Sequence, residues 1–128
     1  MDYSLHQDSE TGIITAVVTG TWSAQQDEEL LRKVIAIDTQ GRLKLQLMDL
    51  RQLSADFSVS YIYHRAQFLE KKRERVEAPA FRAALIYDGT NPKVRHAYEF
   101  FETTAVNRGL PYRVFADIDR ARQWLMEA

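Results

Sequence analysis

Leu43-Lys44-Leu45-Gln46-Leu47-Met48-Asp49 alternates apolar and polar side chains at period two, the repeat of a β-strand. What lies on either side of it decides the fold. Downstream, the period changes to that of a helix over residues 58–75, with Tyr61, Ile62, Ala66 and Leu69 on one face and Pro79 beyond the end. Residues 81–87 read as the next strand. Asn91-Pro92 then starts a helix: the asparagine side chain accepts first-turn amides, and proline suits a position that needs no donor. Val94, Ala97, Tyr98, Phe101 and Ala105 fall on its apolar face. Gly109 closes it, with Leu110 placed to pack back as in a Schellman cap. Residues 112–115 make a last strand, and Asp117 caps a final helix carrying Ile118, Ala121, Trp124 and Leu125.

Upstream, Ser23-Ala24-Gln25-Gln26 is a capping box, and Asp27, Glu28 and Glu29 put negative charge where the helix dipole favours it. Leu30, Leu31 and Val34 form the buried stripe of that helix, and Gly41 is its expected stop. Before it, residues 3–7 and 13–19 flank the turn-rich Asp8-Ser9-Glu10-Thr11-Gly12, which predicts an N-terminal hairpin ended by Gly20. The order is β-β-α-β-α-β-α-β-α. Strands alternating with helices imply right-handed crossovers and a mostly parallel five-stranded sheet. Strands covered on both faces read as continuous apolar runs. Here Lys44 and Gln46 interrupt one strand, and Thr15 and Arg113 interrupt two others. The expectation is an α/β fold with helices mainly on one face, Lys44 and Gln46 projecting from the less-covered side.

The 128 residues suit a single domain, and no linker, repeat or low-complexity stretch divides them. A 45% hydrophobic and 27% charged composition is that of a globular chain, which argues against disorder. A net charge of −1 gives no reason to expect nucleic acid or an anionic membrane as partner. The absence of cysteine excludes disulfides, thiolate metal sites and a cysteine nucleophile. No signal peptide is evident, and no run reaches the roughly 20 apolar residues of a membrane span. The expected compartment is therefore the cytoplasm.

With that strand order and a polar sheet face, the chain resembles the STAS superfamily, the sulfate-transporter and anti-sigma-factor-antagonist domains. It looks nearest to stand-alone bacterial members without an assigned role. Leu47-Met48-Asp49-Leu50 is similar to the family's strand ending in an Asp-Leu pair. Tyr112-Arg113-Val114-Phe115-Ala116-Asp117, followed by Ala121 and Trp124-Leu125, is similar to its closing strand and helix. The family's switch is an Asp-Ser-Ser-Gly-like turn opening the second helix, where a kinase phosphorylates a serine. The resemblance brings Ser58 to that position, in the stretch Asp56-Phe57-Ser58-Val59-Ser60. Phe57 replaces an acidic neighbour and Ser60 the glycine, and the plainer reading of Ser58 is a helix cap.

Other constellations are sparse. Asp49 is expected at a strand's C-terminal end, where α/β sheets place ligand contacts. Asp88-Gly89-Thr90-Asn91 precedes a helix N-terminus that could meet an anion, but it lacks a glycine-rich loop and a phosphate-binding lysine. His96 and Glu99 are one turn apart, with His6 and His64 distant, so no metal site is expected. Lys71-Lys72-Arg73-Glu74-Arg75, with Arg65 upstream, makes one helix end basic, as the helix dipole by itself favours. No cofactor and no catalytic triad is indicated. The sequence therefore points to a non-enzymatic regulatory or binding module. It would act through a protein partner or a small apolar or anionic ligand, with a homodimer also open. The alternative is a small enzyme or a nucleotide- or anion-binding protein using the loops near Asp49 and Asp88.

Overall fold

Three helices start where a side chain takes up first-turn amides. Ser23 accepts from the Gln26 amide at 3.4 Å, Asn91 from Lys93 and Val94, and Asp117 from Asp119 and Arg120. These caps delimit most of the elements in the computed structural model, which describes residues 1–55, 58–75 and 80–127, with side chains at 59–61 and 72–75 left aside. The elements are β1 (Asp2–Gln7), β2 (Ile14–Thr21), α1 (Ala24–Ala36), β3 (Lys44–Ser54), α2 (Val59–Arg75), β4 (Phe81–Ile86), α3 (Pro92–Asn107), β5 (Tyr112–Phe115) and α4 (Ile118–Leu125). At the end of α3, Gly109 takes φ 73° and the Leu110 amide donates to the Ala105 carbonyl at 3.0 Å. Leu110 is buried there, completing the Schellman cap.

The strands lie in the order β1-β2-β3-β4-β5, with β1 antiparallel to β2 and every other pair parallel. Because each new parallel strand adds on the same side of the last, right-handed crossovers deliver α1, α2 and α3 to one face. The packing agrees. Leu30 and Val34 of α1 sit on Ile14, Ala16 and Val18, while Ile62, Leu69, Ala97 and Phe101 of α2 and α3 sit on Leu85 and Tyr112. Helix α4 packs on the opposite face, where Ala121 and Leu125 meet Leu47, Ala84 and Ile86. The edge strand β5 is blunted by Glu102, whose carboxylate accepts the Val114 amide at 2.6 Å.

Three expectations need correction. Lys44 and Gln46 do not project from the less-covered face; both are buried beneath the helices. Lys44 Nζ donates to the Val34 and Ile35 carbonyls at 3.0 and 2.6 Å. It thereby supplies donors to carbonyls in the last turn of α1, the Val34 carbonyl also accepting the Ile37 amide at 3.3 Å. The interruptions that mark the less-covered face are the other two: Thr15, beside the exposed Val17, and Arg113, whose guanidinium lies over the Trp124 ring. Second, β2 and β3 both outrun their expected ends. Thr19, Gly20 and Thr21 pair with Gln52, Leu53 and Ser54 after a bulge, which leaves Asp49 inside a strand. Third, α1 stops at Ala36, and Gly41 belongs to the following turn.

Candidate functional site

The carboxylates singled out in the sequence are satisfied locally. Asp49 receives two bonds from the Arg51 guanidinium, at 2.9 and 2.7 Å. The guanidinium holds its carboxyl below the usual aspartate range, a poor setting for proton transfer near neutrality. Asp88 accepts from the Thr90 hydroxyl at 2.7 Å and the Thr90 amide at 3.0 Å, which likewise lowers its carboxyl. Asn91 spends its side-chain oxygen on the cap of α3. Gly89 answers a steric demand, since a Cβ there would stand 2.8 Å from the Ala116 Cβ. The Asp88–Asn91 loop thus folds on itself and leans on the β5–α4 joint, with its one charge negative.

Ser58 lies immediately before α2 and is exposed, its carbonyl accepting the Ile62 amide at 3.1 Å. Asp56 lies outside the described residues. His96 and Glu99 are both exposed on α3. Arg65 does not extend the basic end of α2: it reaches α1, where its guanidinium meets the Asp27 carboxylate at 2.7 Å. Asp27 also accepts Trp22 Nε1 at 3.1 Å. Because both members of that ion pair are half-buried, each stabilises the other more than an exposed pair would.

Behind this cluster is the feature that sequence reasoning missed. A cavity of about 120 Å³ lies between the sheet and helices α1, α2 and α3. Gln46, Met48 and Leu85 contribute to its sheet side, and Leu31, Ile62 and Phe101 to its helix side. Its lining is overwhelmingly apolar. The half-buried Trp22, Asp27, Ala55 and Arg65 also belong to it and mark where it approaches solvent. Tyr98, stacked on Tyr87 at 5.4 Å, closes part of the α3 side, and Ala97 beside it has too short a side chain to fill the space. The one trace of this in the sequence is Gln46, a polar residue in a strand whose same-face neighbour Met48 is apolar.

No protein-family model and no curated protein matches the sequence. Solved structures do. An uncharacterised protein of the DUF3478 family with a SpoIIAA-like fold, from Shewanella loihica PV-4, is similar at TM-score 0.58 and 19% identity, over 97% of this chain and 92% of that one. An anti-sigma factor antagonist from Mycobacterium paratuberculosis is similar at TM-score 0.54 and 14% identity, over 98% and 96% of the respective chains. The chain therefore has the STAS-like fold that its sequence resembles.

Proposed function

We propose that this chain is a non-enzymatic binding module of the cytoplasm that takes a small apolar molecule into the cavity beneath α1, α2 and α3. The cavity itself carries the reading. Its walls are mostly apolar and it reaches solvent beside Trp22, Asp27, Ala55 and Arg65, so an apolar molecule has both a way in and apolar surface to cover. The internally bonded carboxylates of Asp49 and Asp88 offer no comparable support to an enzyme. The fold shared with an anti-sigma factor antagonist supports a regulatory setting in which occupancy is read by a protein partner at the surface near Ser58.

Titration of the isotopically labelled full chain with toluene, followed by amide NMR, tests the reading. Saturable shifts concentrated at Leu31, Ile62, Leu69 and Phe101 are expected. Absence of saturable shifts up to the solubility of toluene would sink it. Native mass spectrometry of protein purified from its own host would show any retained molecule directly.

A further inference from the structure

The two edges of the sheet differ. The edge strand β5 is blunted by Glu102, whereas no strand among the described residues pairs with the outer edge of β1. A free edge presents backbone donors and acceptors to another strand. The hairpin decides which residues present them. The Asp8 amide donates to the Ile13 carbonyl at 2.9 Å, and the pairing runs on without a shift from Gln7 opposite Ile14 to Asp2 opposite Thr19. Hydrogen-bonded positions alternate along an antiparallel pair. Asp2, Ser4 and His6 therefore turn their backbone groups toward β2, and Tyr3, Leu5 and Gln7 turn theirs outward. Side chains alternate as well. Tyr3 and Leu5 pack toward Leu30 and Val34 of α1, and Asp2, Ser4 and His6 are exposed on the other face.

We propose that β1 pairs antiparallel with β1 of a second copy of this chain, about a two-fold axis at Ser4, so that one sheet runs through both copies. Only the odd-numbered residues can exchange bonds across such a junction, which restricts the axis to a residue rather than a peptide bond. Centred on Ser4, Tyr3 stands opposite Leu5 of the partner subunit on the helix face, an aromatic–aliphatic pair. On the other face Asp2 stands opposite the partner's His6, and symmetry repeats both pairs. An imidazole N–H can donate to that carboxylate whether the ring is neutral or charged. These two residues occupy a position without backbone bonds, where side chains approach most closely. An axis at Leu5 would set Asp2 against the partner's Asp8, carboxylate against carboxylate. An axis at Tyr3 would draw His6 and Gln7 out of the paired stretch. The pattern along β1 is thus self-complementary in one register. Helix α1 raises no like-charge conflict: Glu29 accepts the Tyr3 hydroxyl at 2.6 Å and Lys33 lies over the Tyr3 ring at 5.1 Å, one charge of each sign beside the junction. A junction of one short strand is small, so the dimer is a weak one that dissociates on dilution. It does not depend on what the cavity takes.

Sedimentation equilibrium of the full chain from about 10 μM to about 1 mM is the test, with amide hydrogen exchange read at both ends of that range. A monomer–dimer equilibrium is expected. The amides of Tyr3, Leu5 and Gln7 should exchange more slowly at the higher concentration, and those of Ser4 and His6, already bonded to β2, should not change. Asp2→Lys sets ammonium against imidazole, and His6→Glu sets carboxylate against carboxylate. Each alters two symmetric cross-strand pairs, so each should raise the dimer dissociation constant about 2- to 30-fold. The double variant Asp2→Lys/His6→Glu reverses the pairs and should return to within about three-fold of the parent. Both positions are exposed, and an unchanged urea midpoint shows that each variant folds. A chain that stays monomeric at about 1 mM overturns the inference, as it would if β1 accepted only a strand of another protein. So does a dimer whose Tyr3, Leu5 and Gln7 amides gain no protection. A double variant no tighter than either single one overturns it as well, because Asp2 and His6 would then not face each other.

Discussion

Filling the cavity from within separates a ligand site from ordinary packing. Ala97 lines the space from α3, in a helix anchored by Tyr98, Phe101 and Ala105. Ala97→Leu adds three carbons to a side chain that is already buried. At about 0.8 kcal/mol per buried methylene, occupation of the void by those carbons contributes about 2.4 kcal/mol. Fixing the leucine rotamer costs about 0.5–1 kcal/mol. The expected result is a variant more stable than the parent by about 1.5–2 kcal/mol, against the ~1–3 kcal/mol loss that overpacking a filled core produces. Urea unfolding reads this directly, as a higher midpoint at an unchanged slope. The same leucine occupies the ligand's place, so saturating toluene should stabilise the parent and leave Ala97→Leu unmoved. A variant destabilised by 1 kcal/mol or more, or one that still gains stability from toluene, would refute the reasoning.

Gly89→Ala should destabilise by about 1–3 kcal/mol, because its new Cβ would meet the Ala116 Cβ at 2.8 Å. Ala116→Gly in the same chain should restore most of the loss in thermal unfolding. Lys44→Met keeps the buried stem but leaves the Val34 and Ile35 carbonyls without their ammonium donor. A cost of about 1–3 kcal/mol is expected, measured by urea denaturation. Asp49 has a carboxyl lowered chiefly by Arg51, so it binds its proton less readily folded than unfolded. Its contribution is therefore full above about pH 4, the unfolded value, and is lost as pH falls through the lower folded value. Asp49→Asn should flatten the decline of the urea midpoint below pH 4, and an unaltered acid limb would show the Arg51 pair to be irrelevant to stability. Ser58→Ala is expected to cost about 1 kcal/mol as the loss of a cap, with no stoichiometric phosphate on Ser58 in the native host; high-occupancy phosphate there would instead favour the phospho-switch that the sequence resemblance implies.

Much of this molecule was legible one segment at a time, because its deciding interactions are local. Asn91-Pro92, Asp117, Ser23 and Gly109-Leu110 end or begin helices through bonds that span a few residues, and the structure places those caps where the sequence does. The alternation of strands and helices is likewise a sum of local periods, and the handedness of crossovers carries it to a sheet with three helices on one face. Which face a polar strand residue meets is another matter. Period two says that Lys44 and Gln46 share a side, and only the packed molecule shows that the last turn of α1 lands above Lys44 and needs its charge. The continuation of β3 past Asp49 depends on β2 running alongside it, a partner that no window around Asp49 contains. The cavity is more distant still from any local signal. It is the space left when side chains from three helices and the sheet, brought together only by folding, fail to meet. A chain's own periodicity determines which residues turn inward; how closely they fill the interior is decided by the elements that arrive from elsewhere in the sequence.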